Sequence, residues 1–213
     1  MKKLILLIFV IVSLSGASKS HAQTKTDHLE PLEGIFNIYN FQFEYYSQIR
    51  KVLFAGLSDT PEIRFQILPS FSPESVLDIV HDRDTDKYYL VYHIGETMIW
   101  SNKKWEDVRV IKFKKEIEKS SVESIRSLFQ AAISQTKYPE KESMGLDGAD
   151  YLFAVKEYGQ RVGAVWSPSE GTKMSRLVAV GYKLIELATN NDKSIKFDEK
   201  FAEEIEKLKS EIE

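Results

Sequence analysis

Two pairs of short, largely apolar runs, each joined by a short turn, constrain the fold of this chain more than any other feature. Residues 76–81 and 88–94 flank the polar turn 83–86. This pattern predicts an antiparallel hairpin. Pairing Asp82 with Lys87 places four apolar side chains on one face, which we expect to be buried: Leu77, Ile79, Leu90 and Tyr92.

The second pair of runs, 151–157 and 160–166, flanks the dipeptide Tyr158-Gly159. A two-residue turn there predicts a register that puts six side chains on one face. The pairs are Tyr151 with Trp166, Phe153 with Ala164, and Val155 with Val162. The opposite face is also partly apolar, which leaves room for a second covering layer.

Four segments show the three-and-four spacing of amphipathic helices. The first runs from Ile35 to about Gly56, although alternation at its start also fits a strand; the others follow 120–132, 174–188 and 197–212. Capping boxes predict two helix starts, one from Ser120 to Glu123 and one with Ser167 as N-cap, followed by Pro168 and Glu170.

Together with single strands predicted at 63–68 and 107–115, these elements indicate the α+β class. We expect an antiparallel sheet built from the two hairpins plus extra strands, with helices packed on one face. A single domain is predicted over 35–213, with a potential division into 35–136 and 137–213.

The N-terminus is typical of a secretory signal peptide. A positive start, Met1-Lys-Lys3, precedes nine apolar residues, 4–12, and then small and polar residues. Nine residues are too few to span a bilayer, which takes about 20. Small residues allow cleavage after Ala17 or Ala22, and we favour Ala22. We therefore expect a signal peptide at 1–22, a flexible lead-in at 23–34, and a periplasmic or secreted protein with no membrane span after cleavage.

Composition narrows the function further. There is no cysteine, which excludes disulfides, thiol nucleophiles and a lipid-modified cysteine. Removing Lys2, Lys3 and Lys19 from the 29 basic residues leaves 26 against 32 acidic ones, a net charge of −6. A mildly acidic chain with interspersed signs lacks the basic face that nucleic-acid binding requires.

The turn between the first two runs has a weak likeness to a calcium loop, because Asp82, Asp84 and Asp86 alternate. A calcium loop next needs a glycine and a twelfth-position acid, and this chain has Lys87 and His93 there. In the predicted register His81 and His93 point to opposite faces. We therefore predict neither a metal nor a cofactor.

Candidate catalytic residues are few. Two Ser-x-x-Lys matches are what chance predicts in a chain this rich in serine and lysine, and there is no Gly-x-Ser-x-Gly. Asp147 and Asp150 are paired carboxylates that could do acid–base work if their pKa values were separated, but Asp147-Gly148 is also a common turn. The predicted hairpin returns Ser167 close to them.

We therefore expect a binding surface in this part of the molecule, formed by Asp147, Asp150, Tyr151, Trp166, Ser167 and Tyr158. Two functions are open. The first is a non-enzymatic envelope protein that binds another protein or a cell-envelope component, since tyrosines are abundant and are favoured in contact surfaces. The alternative is a hydrolase with its site near Asp147, Asp150 and Ser167, joined by His81.

The C-terminal half also resembles a known group. The block Leu-Asp-Gly-x-x-Tyr-x-Phe at 146–153, then Val165-Trp-Ser-Pro168 and a helix, is similar to small exported bacterial proteins of unassigned function. That resemblance implies no activity and no site residues. Envelope proteins that neutralise toxins can look similar, so the binding function includes an immunity-type protein.

Overall fold

A computed structural model describes residues 27–32, 40–139 and 147–213. The predicted signal peptide at 1–22 and the start of the first helix at Ile35 lie outside these ranges. The described chain has four helices: α1 Asn40–Leu53, α2 Lys119–Ser134, α3 Lys173–Thr189 and α4 Glu199–Ile212. It has seven strands: β1 Ile63–Pro69, β2 Ser75–Asp82, β3 Lys87–Gly95, β4 Val110–Ile117, β5 Ala149–Lys156, β6 Gln160–Trp166 and β7 Ser194–Ile195. None of these helices combines the length and apolar character needed to cross a bilayer.

The strands form one sheet in the order β6-β5-β1-β2-β3-β4-β7, antiparallel except for the β4–β7 pair. The α+β class with an antiparallel sheet is therefore confirmed. The first hairpin has the predicted register, with Asp82 opposite Lys87. Its four predicted core residues are all buried: Leu77, Ile79, Leu90 and Tyr92.

The second hairpin is shifted by one residue from the predicted register. Lys156 pairs with Gln160, so the turn is a three-residue loop rather than Tyr158-Gly159 alone. Trp166 consequently lies opposite Asp150, and Tyr151 lies opposite Val165. Because side chains alternate along a strand, a slip of one residue moves the whole of β6 to the other face. Trp166, Ala164 and Val162 thus lie on the face away from Tyr151, Phe153 and Val155.

Both predicted capping boxes are wrong, because each helix begins at a different residue. Helix α2 begins at Lys119, which places Ser120 inside its first turn, and the Glu118 side chain makes no capping bond. Helix α3 begins at Lys173, with Thr172 as N-cap accepting a hydrogen bond from the Ser175 N–H. Pro168 and Glu170 lie in the loop before it. Aspartate caps α4, where Asp198 accepts from the Phe201 N–H.

Helices α2, α3 and α4 cover one face of the sheet and form the main core, which includes the predicted helix stripes. Helix α1 packs on the other face, where Ile49, Val52 and Leu53 meet a smaller core with Leu68 and Leu152. The region predicted as either helix or strand is helical over 40–53. The sheet has therefore two covered faces, which explains the apolar residues on both sides of β5.

Part of the predicted lead-in packs against β6. Glu30 exchanges two backbone hydrogen bonds with Ala164, of 2.7 and 2.8 Å, and Leu29 is fully buried in the main core. The segment 27–32, which falls inside the lead-in predicted to be flexible, is therefore held by the fold. Gly163 makes room for it, since a Cβ there would lie 2.9 Å from the Leu29 side chain.

Candidate functional site

Four side chains line up across one end of the sheet. The register places Leu68 opposite Asp150, and Asp150 opposite Trp166. Extending the β1–β2 register by one residue puts Glu74 next to Leu68. Residues directly opposite one another in antiparallel strands project from the same face. Glu74, Asp150 and Trp166 therefore all project from the face that α1 covers.

Asp150 is a largely buried carboxyl group in this row. Its pKa is raised to about 6, first by loss of solvation and then by the negative charge of Glu30. Among the described residues it accepts no hydrogen bond and forms no ion pair. A carboxylate that loses water without gaining a donor or a cation is costly to the free protein. Such groups are concentrated at functional sites.

Glu74, in the same row, is fully buried and has a complete set of donors. Its carboxylate accepts hydrogen bonds from the Ile99 N–H (2.7 Å), the Trp100 N–H (2.9 Å) and the Tyr45 hydroxyl (3.1 Å). It thus ties the β3–β4 loop and helix α1 to the sheet. Burial and then the Glu74 carboxylate raise the pKa of Tyr45, and the charge of Asp150 adds to this effect.

Aromatic side chains surround these acids. The Trp100 ring meets the Tyr45 ring edge-to-face with centroids 4.9 Å apart, and 52 % of Trp100 remains exposed. Phe71 is 75 % exposed. We call the surface formed by Tyr45, Phe71, Trp100, Asp150 and Trp166 the aromatic end.

Two contacts of Gly148, one with Trp166 and one with Ser70, hold this end together. A Cβ on Gly148 would lie 2.8 Å from the Trp166 ring, so only glycine allows the indole to pack there. The Ser70 N–H donates to the Gly148 carbonyl at 2.8 Å, which brings the start of the Phe71 loop beside Trp166. The Asp147-Gly148 pair therefore serves close packing.

Ser167 does not have the surroundings of a nucleophile. Its Oγ accepts a hydrogen bond from the Ala149 N–H at 2.9 Å, and its backbone has a φ of +37°. No histidine or lysine of the described chain bonds to that oxygen. The fourth residue of the predicted hydrolase, His81, lies near the opposite end of the sheet, roughly 20 Å away along the strands. It stacks on Tyr88 and bonds to Asp86 at 2.8 Å.

The structure divides the predicted binding surface. Asp150, Trp166 and Ser167 lie together, with the exposed Asp147 beside them. Tyr151 is on the other face, stacked on Phe65 and bonded to the Tyr182 hydroxyl. Tyr158 is fully exposed on the hairpin turn at the far end.

Sequence reasoning missed five residues of the site: Glu30, Tyr45, Phe71, Glu74 and Trp100. Glu74 stands immediately before an apolar strand, and a carboxylate beside a buried run is a signal that could have drawn attention to it. The other four reach the site through contacts between distant segments of the chain, which no local pattern reports.

The acidic turn between β2 and β3 is a local structure. The Asp82 carboxylate accepts hydrogen bonds from the Asp84 and Thr85 N–H groups, as aspartate does in turns. The hydrogen bond to Thr85 lowers the pKa of Asp82. Within 27–32, 40–139 and 147–213, no cluster of three or more His, Asp or Glu side chains is arranged to hold a metal ion.

Comparison with known proteins yields no matching family model, no matching curated protein and no matching solved structure.

Proposed function

We propose that this chain is an exported, non-enzymatic envelope protein that binds another protein through the aromatic end. The observation that carries the proposal is the exposure of Trp100 and Phe71 at the end of the sheet that also holds Trp166 and the desolvated Asp150. Tryptophan and tyrosine dominate binding energy at protein interfaces, especially around a desolvated polar group. An immunity-type protein that sequesters a toxin is one form of this function.

The fixed orientation of Trp100 supports a role in binding. Its backbone is held by the buried Glu74 carboxylate and its ring by Tyr45, so the exposed indole is presented in a defined orientation. A residue that is ordered before binding loses less conformational entropy when a partner docks. The opposite end of the sheet favours solvent instead, because its turns carry Arg83, Asp84, Asp86 and Glu157, all exposed.

The surroundings of Ser167 and Asp150 favour binding over hydrolysis. A serine nucleophile needs a base within hydrogen-bond reach, and the Ser167 oxygen instead accepts the Ala149 N–H. The pKa of Asp150, about 6, would suit acid–base work, but the described chain places no nucleophile or second orienting group against it. The same carboxyl group is well suited to meet a partner.

The test compares partner capture by matched aromatic variants. Wild type, Trp100→Ala, Phe71→Ala and the control Tyr158→Ala are cross-linked in the envelope fraction, and the partners retained are quantified by mass spectrometry. We expect Trp100→Ala and Phe71→Ala each to weaken capture about tenfold, as interface aromatics do. Tyr158→Ala should capture as wild type does, since Tyr158 lies at the other end. Equal capture by Trp100→Ala and wild type would contradict the proposal.

Export has its own test. N-terminal sequencing of the protein recovered outside the cytoplasm should give Gln23 as the first residue, because small residues at Ser20 and Ala22 follow the short apolar run. Recovery of a chain that still begins at Met1 would contradict cleavage, and recovery from the cytoplasm alone would contradict export.

A further inference from the structure

We infer that the partner places a basic side chain, a guanidinium or an ammonium group, against Asp150 on the side of the sheet where Trp166 projects. This inference rests on the proposed function and names the chemistry of the contact at its centre. Three observations support it: the other buried acids have partners within the chain, the charge around Asp150 is negative, and aromatic rings lie near it.

Other buried or half-buried carboxylates on the sheet have their own partners. Asp78 is held by Arg64 through two hydrogen bonds of 2.7 Å. Glu62 receives Arg126 at 2.8 Å and Lys156 at 3.1 Å. Glu74 has three donors, as described above. Asp150 has neither a cation nor a donor among the described residues, and in this it differs from the other three acids.

The neighbourhood of Asp150 is negative. Glu30, on the paired lead-in, adds a second carboxylate whose charge raises the pKa of Asp150. The Tyr45 hydroxyl, which could have donated to Asp150, donates to Glu74. A cationic group from outside would relieve this repulsion and donate the hydrogen bonds that no described residue donates to Asp150. A carboxylate or phosphate of a ligand would meet the same charges unfavourably.

The flanking rings suit a cation with an apolar stem. Arginine and lysine pack their stems and charged groups against aromatic faces. The chain itself uses this contact on the same face of the sheet, where the Arg64 guanidinium lies 4.1 Å from the centroid of Phe54. Trp166 is directly across the strand pair from Asp150, so a basic side chain could bond to the carboxylate and pack on the indole.

A bare metal ion fits less well. Calcium takes six to eight oxygen ligands, whereas Asp150 and Glu30 supply two carboxylates, and the described residues hold no metal-binding cluster. A basic side chain needs a single carboxylate with one or two free oxygens.

The test titrates the whole protein with small probes and follows backbone and indole signals by NMR. The probes are N-acetylarginine methylamide, its uncharged analogue N-acetylcitrulline methylamide, and calcium chloride. We expect the arginine probe to shift the signals of Ala149 to Tyr151 and the Trp166 indole in a saturable way, with the citrulline probe at least about tenfold weaker. Equal binding of both probes, or a response to calcium alone, would overturn the inference.

Variants distinguish the contribution of the Asp150 carboxylate to probe binding from that of the surrounding surface. Asp150→Asn should weaken the arginine probe about tenfold or more, whereas the control Asp147→Asn, an exposed acid at the same end, should bind as wild type does. Unchanged binding by Asp150→Asn would refute the contact.

In the partner-capture assay, loss with Trp100→Ala but not with Asp150→Asn would overturn this inference and leave the proposed function standing. Capture that ignores both substitutions would overturn both.

Discussion

The two faces of the sheet are covered in different ways. The face under α2, α3 and α4 buries thirty hydrophobic residues in one continuous core, whereas the α1 face buries eight among the described residues. Among the described residues, the buried acidic and basic side chains are those of Glu74, Asp78 and His93, and all three project from the α1 side. One face is therefore built by apolar packing, and the other depends on directed polar contacts.

These polar contacts anchor α1 and the loop after it. The His93 ring donates through Nδ1 to the Leu53 carbonyl at 2.7 Å, and burial lowers the pKa of this histidine, which favours its neutral form. Arg64 donates hydrogen bonds to Asp78 and so lowers its pKa. Burial raises the pKa of Asp78 by more, because the loss of solvation outweighs the attraction of Arg64.

The comparison teaches where this protein can carry a binding site. Regions with few buried apolar contacts open at lower free-energy cost than the core. Polar groups that lack some of their hydrogen bonds in the free protein can form these bonds with a partner. The aromatic end lies on this less apolar face, whereas the opposite face supplies most of the stability that the chain needs without disulfides.

The largest expected effect is on the main core. Phe153 is fully buried between Phe65 and Phe129, with ring centroids 5.0 and 5.1 Å away. Phe153→Ala should lower the free energy of unfolding by about 3–5 kcal/mol, since it removes a large buried ring and leaves a cavity. Urea denaturation measures this loss. The matched change on the α1 face, Leu152→Ala, should cost clearly less; an equal or greater loss would break the comparison between the faces.

The next effect is at Glu74. Glu74→Ala leaves the Ile99 and Trp100 N–H groups buried without an acceptor, which should cost about 2–3 kcal/mol and free the Trp100 ring. Tryptophan fluorescence and urea denaturation report both changes. Tyr45→Phe removes one of the three donors and should cost about 1 kcal/mol. A Glu74→Ala protein with unchanged stability and unchanged Trp100 emission would show that this carboxylate is not an anchor.

Substitution of Asp150 should raise the stability of the free protein, whereas the preceding substitutions lower it. Its folded pKa of about 6 is above the usual value of 3.8, so the folded state holds the proton more tightly and stability falls as pH rises from about 4 to 6. Above that range, Asp150→Asn should stabilise the free protein by about 1–2 kcal/mol, because the folded protein no longer has to bury a charged carboxylate. Below pH 4 the two proteins should melt alike. A destabilised variant at pH 8 would mean that Asp150 already has a partner within the chain.

The smallest expected change in stability is at Ser167, where the side-chain hydrogen bond and the positive φ can be tested separately. Ser167→Ala loses the hydrogen bond from the Ala149 N–H, which should cost about 1 kcal/mol. Ser167→Gly loses the same bond but relieves the positive φ, a backbone conformation that glycine adopts freely. We therefore expect the glycine variant to melt above the alanine variant. The reverse order would show that the positive φ of Ser167 costs the folded protein no stability.

Local patterns predicted much of the fold. The polar turn from Asp82 to Lys87 has one register that buries Leu77 and Leu90 together, so the first hairpin could be paired correctly. The second hairpin could not, because apolar residues on both faces of β5, such as Leu152 and Phe153, make a one-residue slip almost invisible to the alternation. The predicted cap at Ser167 failed because its hydroxyl accepts a hydrogen bond from the neighbouring strand, at the Ala149 N–H, and not from a helix.

By itself the sequence determined the types of element and their buried stripes, because spacings of two and of three-and-four residues depend only on local backbone geometry. It also placed Asp150, Trp166 and Ser167 near one another, since a hairpin joins residues close in the chain. The tertiary structure decided that β5 pairs with β1 and that α1 covers the opposite face. Those choices brought Glu30, Tyr45, Glu74 and Trp100 to Asp150, and they follow from the packing of distant segments, whose free energy depends on the whole fold.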